Sequence, residues 1–387
     1  MKIEDNNLNW SLNVIARVFV GCVFLFSSFV KGVDPMGTAF KITEYLTTWQ
    51  FGSLTFEWLV PLAPVMSMGL IVAEFMVGVM LIFGSFRILS AWLLAAMMLF
   101  FTCTTLFDAI TNEVTDCGCF GDAVKLTNWQ TFWKNVVLDV PTVWIVLTRN
   151  LRRKRRFERD ALVTIFAIVI MVIFGLYNIN NEPCIDFRAW KVGNQMMDMD
   201  ESLQVKSYVT YRNVKTGEEE EFLSEELVAK LQDSTWEQTW EWVDSRVEDP
   251  HEIKADGFSM LDLDLNDHAH ELIGSPDPLM IATVHHLDKV DEKGVAALHR
   301  VLEAAEENGV QMVFLSSALP EQIQAFLYEN KLDDMEFYFA DATAIETMAR
   351  SNPGFVLMKN GKVIGKWHHR HSMDIGEALE NAIASEE

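Results

Sequence analysis

The sequence predicts an α-helical membrane bundle, four helices plus a fifth transmembrane helix, followed by an α/β domain. Three observations predict it. Half of the 387 residues are hydrophobic although the formal charge is −24, a combination that one globular domain does not accommodate. The charge is divided: residues 1–179 carry 14 Lys+Arg against 13 Asp+Glu, and residues 180–387 carry 17 against 42. Apolar runs of membrane-spanning length recur in the first half, and strand and helix patterns alternate in the second. The first half therefore takes membrane lipid as its partner. The acidic second half repels nucleic acid and anionic lipid.

The predicted spans are Leu12–Val30, Pro61–Phe83, Ile88–Ile110, Phe132–Thr148 and Ala161–Tyr177. Each reaches or approaches the ~20 residues that a helix needs to cross hydrocarbon. As helices of a soluble protein, five such runs in series would leave no polar face. Orientation follows from Lys and Arg in the short loops. RNLRRKRRFER (Arg149–Arg159) is the most basic segment, and Arg87 lies in the link between the second and third spans. Both belong on the cytoplasmic side. The N-terminus is then cytoplasmic, while the segments 31–60 and 111–131, and everything after the fifth span, face outward. The acidic N-terminus and the lack of a small-residue cleavage site argue against a cleavable signal peptide.

Four charged residues fall within the runs: Arg17, Glu74, Asp108 and Asp139. Each costs several kcal/mol in hydrocarbon unless paired. The depths of Arg17 and Glu74 differ by roughly 6 Å at ~1.5 Å per residue, so these two are predicted to pair. The four are the candidate cofactor-binding residues, either as a clamp within the bundle or as a site for protons or a quinone.

The outward loop after the third span reads TDCGCFGD, residues 115–122. Cys117 and Cys119 bracket a glycine that permits the bent backbone a Cys-Gly-Cys disulfide requires. A strained, exposed disulfide exchanges readily. Asp116 and Asp122 raise thiol pKa values and slow attack, so the pair suits an acceptor disulfide better than a fast nucleophile. A structural disulfide and a metal site are the rivals, although residues 1–250 contain no histidine to complete a zinc site. Cys184 follows the fifth span on the same side and is the third candidate catalytic residue. Cys22 and Cys103, at similar depths, form a conceivable second pair within the membrane.

The stretches RVFVGCVFLFSSFVKGVDPMGTAFKITEYL (Arg17–Leu46), AEFMVGVMLIFGSFR (Ala73–Arg87) and DCGCFGD together resemble the DoxX/MauE group of redox-associated membrane proteins. The resemblance covers about residues 12–150. It implies a four-helix membrane domain over 1–150, a basic cytoplasmic loop and fifth transmembrane helix over 151–180, and disulfide formation in periplasmic clients. It implies a bacterial cytoplasmic (inner) membrane, with quinone as a potential electron acceptor.

Residues 181–252 form a mixed connecting region. SYVTYRNVKTGEEEEF reads as a hairpin turning at Thr216-Gly217, and Leu223–Val247 reads as an acidic helix with a few buried tryptophans. From residue 253 to 387, strands are predicted at LMIATV, VQMVFLS, EFYFA, GFVLMK and KVIGKW. Helices are predicted at EKGVAALHRVLEAAEENG, PEQIQAFLYEN, AIETMAR and IGEALENAI. The order, with SNPGFVLMKNGKVIGKWHH at its close, resembles the thioredoxin fold. Asn352-Pro353 stands where that family keeps a cis-proline. The family's Cys-x-x-Cys is replaced by ATVHHLDKVDEKG, and no cysteine follows Cys184. The resemblance therefore implies a scaffold reused for binding. His285 and His286, with His368, His369 and His371, are either exposed loop-end residues or a joint metal site.

The function this supports is thiol–disulfide exchange through Cys117/Cys119 in a cell envelope, with the α/β domain presenting a client protein. The alternatives are a non-enzymatic assembly subunit that binds a periplasmic partner, and a transporter or small-ligand binder using the four charged residues.

Overall fold

A computed structural model describes residues 4, 6–51, 54–112, 114, 121–124, 126–151, 156–200, 202–231, 236–255 and 257–384. The chain divides between Arg188 and Ala189 into two compact units.

The first unit is helical. Helix α1 (Asn7–Val33) starts where the Asn6 side chain accepts from the Asn9 amide, a normal N-cap. It stops at Asp34, whose side chain accepts from Gly37 N and caps α2 (Pro35–Thr48), with proline in the first turn. The sequence reading placed this stretch in an outer loop; it is a helix. A two-residue ladder follows, β1 (Gln50–Phe51) with β2 (Leu54–Thr55). Helix α3 (Ala63–Phe83) ends at Gly84, which adopts φ +67°. That left-handed backbone suits glycine and closes the helix. Helix α4 (Arg87–Thr111), α5 (Asn128–Thr148) and α6 (Phe157–Asn180) complete the unit. A capping box between Thr127 and Gln130 fixes the start of α5.

Among the described residues four helices are long and apolar enough to cross a membrane: α1, α3 with its preceding turn, α4 and α6. The fourth predicted span, α5, has 21 residues, about 31 Å at 1.5 Å per residue, but is the most polar of the five. Two of its polar side chains are paired within the bundle. Asn135 is buried and donates to Thr105 Oγ1, and Asp139 accepts from Thr102. The core holds Val20, Phe24, Val77, Leu81, Leu94 and Leu138. Ile15, Val65, Leu99, Val140 and Ile165 lie exposed on the outside. An apolar exterior is the arrangement that lipid, not water, rewards.

The second unit contains two sheets. The first runs β4 (Glu219–Leu223), β3 (Lys206–Asn213), β5 (Trp240–Glu248), with both pairs antiparallel. The hairpin turn at Gly217, φ +75°, is where the sequence places it. The predicted helix over 223–247 is corrected: among the described residues of this stretch, only α7 (Ser224–Leu231) and the single turn α8 (Trp236–Thr239) are helical. Trp240, Trp242 and Val247 instead form a third strand, for which aromatic and β-branched residues are suited.

The second sheet has the order β10-β9-β6-β7-β8. Strands β6 (Leu279–Val284), β7 (Gln311–Ser316) and β8 (Glu336–Phe339) are parallel; β9 (Gly354–Lys359) and β10 (Lys362–His368) are antiparallel additions beside β6. All five predicted strands are present. Every residue of β6 and β9 is buried, as expected of central strands covered on both faces. One face packs on α9 (Ala269–Gly274), α12 (Ala342–Met348) and Trp190; the other packs on α10 (Glu292–Glu307), α11 (Pro320–Glu329) and α13 (Ile375–Ala384). The Asn352–Pro353 bond is cis.

Candidate functional site

Two glycines set the register of the bundle. A Cβ on Gly21 would lie 3.0 Å from the Gly78 carbonyl oxygen, and one on Gly78 would lie 3.1 Å from that of Gly21. Small residues let two membrane helices approach this closely. The antiparallel register then brings Ser27 of α1 level with Glu74 of α3. The Ser27 hydroxyl donates to Glu74 Oε2 at 3.0 Å. Lys31, one turn further along α1, reaches back so that its ammonium donates to Glu74 Oε1 at 2.6 Å. The two side chains are 7% and 2% exposed. This ion pair lies beside a cavity of ≈ 30 Å³, which Lys134 and Asn135 of α5 and Phe101 of α4 also line. Lys31 additionally stands 5.5 Å from the Phe101 ring centroid.

The predicted Arg17–Glu74 pair does not form. The same register places Arg17 against the end of α3, where its Nε donates to Leu81 O at 2.9 Å and its guanidinium packs over Gly84. Leu81 is seven residues from Glu74, about 10 Å along a helix. Leu81 O, which also accepts from Gly84 N at 3.3 Å, lies at the negative end of the α3 dipole, so it is a nearer counterpart for the arginine than Glu74. Asp108, fully buried, accepts from the Tyr45 hydroxyl of α2 at 2.6 Å. Asp139 accepts from Thr102 at 2.9 Å. The four predicted cofactor residues thus have four different sets of partners, and only Glu74 lines the cavity. The sequence reading missed Lys31 by assigning it to the loop. The signal was present: Ser27, Ser28 and Lys31 share one helix face at i, i+1 and i+4.

Cys117 and Cys119 lie outside the described residues, as do Asp116 and the rest of 115–120. The backbone on either side is placed. Val114 is fully buried, and its carbonyl accepts from Asn128 Nδ2 at 2.9 Å. The same amide reaches Asp108 O and Asn112 Oδ1, each at 3.3 Å. On the far side, the turn Gly121–Ala123 rests on α1, where a Cβ on Gly121 would lie 3.3 Å from Val30 Cγ1. Cys184 is a free, exposed cysteine. Its amide donates to Asn178 Oδ1, while Asn178 Nδ2 donates to Gly32 O. Val30 and Gly32 of α1 therefore touch the end of the cysteine loop and the segment leading to Cys184, respectively. The intramembrane Cys22–Cys103 pair does not form: both are free and face outward from their helices.

Just beyond this end, Arg188 is buried and held by Asp186 through two hydrogen bonds and by Glu182 at 3.3 Å. Despite burial, the carboxylates keep its guanidinium pKa above the ordinary arginine value.

In the second unit, four of the five histidines singled out above form two pairs of neighbours, His285 with His286 and His368 with His369. His285 follows β6, and its ring meets that of His286 edge-on. His286 exchanges two backbone hydrogen bonds with the Asn352 side chain. His368 and His369 pack 4.2 Å apart, and His369 Nδ1 meets Ser351 Oγ at 3.0 Å. Burial pushes His285 down to about 4 and His368 down to about 3, so neither is charged at neutral pH. Glu346, on α12, is pushed up to about 7 by burial, against the pull of Arg350. Among the described residues no group of three or more His, Cys, Asp or Glu is placed to hold a metal ion, and the joint histidine site does not assemble.

Residues 9–148 match the family model described as methylamine utilisation protein MauE. The match spans α1 to α5 and none of the second unit. The chain matches no curated protein.

Proposed function

We propose, starting from a MauE family domain over residues 9–148, that this membrane protein carries out thiol–disulfide exchange in a bacterial envelope. In this reading the Cys117–Cys119 disulfide oxidises a client dithiol. Two client S–H bonds are replaced by one S–S bond, the Cys117–Cys119 bond opens, and two electrons and two protons pass to that pair. Reoxidation passes them on to a membrane-soluble acceptor. The observation that carries the reading is the convergence on the end of α1. Val30 supports the turn that ends the cysteine loop, and Gly32 receives the asparagine that holds the Cys184 amide. Described residues on both sides of the Cys117/Cys119 stretch, Val114 and Gly121, and the segment that carries Cys184 are held at one end of the bundle, which supports exchange among these cysteines.

The basic segment after α5 and Arg87 mark the opposite end as cytoplasmic. The cysteines and the second unit then face the periplasm, an oxidising compartment. The strand order of the five-stranded sheet, with parallel β6, β7 and β8 and antiparallel β9 and β10, supports a thioredoxin-like reading of the second unit. Its lack of cysteine supports a role in holding the client rather than in exchange. That same lack favours a second reading, an assembly subunit with no redox activity. Thiol trapping in living cells separates the two. Exchange requires Cys117 and Cys119 to shift between reduced and oxidised forms when envelope thiols are perturbed. It also requires the Cys117→Ser/Cys119→Ser protein to lose client oxidation while remaining folded. A pair locked in one state, with client oxidation intact in the double variant, leaves the assembly reading.

A further inference from the structure

We propose that the turn between α3 and α4 binds the phosphate of an anionic phospholipid. Three arginines surround this turn, residues 83–87. Arg159 of α6 donates from Nη2 to Phe83 O at 2.7 Å. Arg17 of α1 lies over Gly84, where a Cβ would stand 3.0 Å from its Nη2 and 3.2 Å from its Nη1. Arg87 opens α4 and donates to Leu151 O at 2.8 Å. Arg17 Nε likewise donates to a carbonyl, Leu81 O. Bonds to carbonyls hold a guanidinium without neutralising it. The carboxylate at the turn is Asp160, 3.4 Å from Arg159 Nε, which accepts from Phe86 N at 3.2 Å. Three guanidiniums against that one carboxylate leave the turn positively charged.

Arg17 shows what the turn lacks. It is 6% exposed, and its Nη1 has no hydrogen-bond partner. Nor has the hydroxyl of Ser85, the fully buried residue after Gly84. Among the described residues the charge that acts on Arg17 is that of Arg87, of like sign. A buried charge without a counter-charge is costly in a membrane helix, and an anion against the turn relieves that cost. The field of Arg17 passes through protein and lipid rather than water, so it is weakly screened. The phosphate itself meets Arg159, whose side chain is 45% exposed, and half-buried Arg87. Guanidinium forks match phosphate oxygens, and the first turn of α4 adds the positive end of its dipole.

The apolar surroundings select a lipid over a free ion. Phe83, Leu89 and Phe157 lie exposed beside the charges, at the ends of helices of membrane-spanning length. Arg87 lies 4.6 Å over the Trp10 ring, and Arg149 lies 5.3 Å over that of Trp92. Aromatic and basic side chains together mark a membrane–water boundary, and basic residues there attract anionic lipid. Inorganic phosphate would use the arginines alone; a phospholipid also covers the exposed apolar side chains.

The test is native mass spectrometry of the full-length protein, delipidated in detergent and titrated with phosphatidylglycerol or phosphatidylcholine. A saturable phosphatidylglycerol adduct is expected, bound more tightly than phosphatidylcholine. Arg159→Gln should weaken it about fivefold, the scale of one basic side chain at an anionic surface. Arg17→Gln should weaken it less, about threefold, because Arg17 acts without contact. Arg212→Gln, on the small sheet of the second unit, should leave it unchanged. Arg159 is exposed, so its variant keeps the test open where Arg17→Gln does not fold. Equal binding of the two lipids overturns the proposal, as does undiminished phosphatidylglycerol binding to a folded Arg159→Gln protein. Displacement by equimolar inorganic phosphate overturns it in favour of a free-anion site. A larger loss in Arg152→Gln/Arg153→Gln than in Arg159→Gln overturns it in favour of diffuse attraction to the basic segment.

Discussion

Lys31 and Glu74 form a 2.6 Å ion pair that joins the last turn of α1 to the interior of α3, with both side chains almost wholly removed from the surface. Removing one partner of a buried pair strands the other charge, which is costlier than replacing both. Lys31→Met should therefore destabilise the bundle by about 3 kcal/mol, near the low end for broken buried pairs, because Ser27 still donates to Glu74 and Lys134 lines the same cavity. Lys31→Met combined with Glu74→Leu should recover most of that loss. Thermal melting of the three proteins in one detergent measures it. A double variant less stable than either single one would contradict the pairing.

Arg17 acts elsewhere, on the Leu81 carbonyl in the last turn of α3. Arg17→Ala should cost about 1–2 kcal/mol, the scale of a charge-assisted hydrogen bond together with a helix-dipole contact. It should leave the surroundings of Glu74 untouched, so its effect should add to that of Lys31→Met. A double-mutant cycle with a coupling energy well above about 0.5 kcal/mol would show that the two sites communicate.

Gly21 and Gly78 let α1 and α3 approach closely enough for this arrangement. A Cβ on Gly21 would stand 2.7 Å from Ile82 Cγ1 and 3.0 Å from a backbone oxygen. The isoleucine can yield; the backbone can yield only if the helices separate. Gly21→Val should therefore cost about 1–3 kcal/mol by overpacking and should also weaken the Lys31–Glu74 contact three turns away. Infrared absorption of the Glu74 carboxylate, with Glu74→Gln as the subtraction reference, reports on that contact.

The sequence made the helices legible because their apolar runs are long, and it made the strands of the large sheet legible because β6, β7 and β9 are mostly apolar and almost wholly buried. It failed where a residue's partner depends on register. Arg17 and Glu74 are plausible partners by depth alone, but depth along two separate helices ignores which residues face each other. The Gly21–Gly78 contact decides that, and no local pattern announces it. The sequence of the strand Trp240–Glu248 predicts a helix because its acids and tryptophans fit a solvated helix equally well. Its pairing with β3 is a tertiary choice. Lys31 is the first charge after an apolar run and so marks a span boundary by sequence, although lysine's long stem lets its ammonium reach inward as readily as outward.

The last prediction concerns Glu346 in the second unit. Burial raises its pKa from 4.5 to about 7, with Asp341 adding to the rise and Arg350 and Lys289 opposing it. A carboxyl with a raised folded-state pKa favours folding fully only below its unfolded value. That contribution is lost as pH rises from about 4.5 through about 7, because the folded state must then carry a poorly solvated charge. Glu346→Gln removes the charge without changing the shape. The variant and the parent should be alike at pH 4, and the variant should be the more stable by about 1–2 kcal/mol at pH 8, after allowance for solvent screening of a partly buried group. His285 and His368 work in the opposite sense. Their lowered values leave stability intact above about pH 6.5 and erode it as pH falls toward 4 and 3. They are common to both proteins and cancel in the comparison. Hydrogen exchange of the α12 and β6 amides in the full-length protein reads the local opening free energy at each pH. Parallel curves for the two proteins between pH 4 and pH 8 would place the Glu346 carboxylate in solvent and refute its burial.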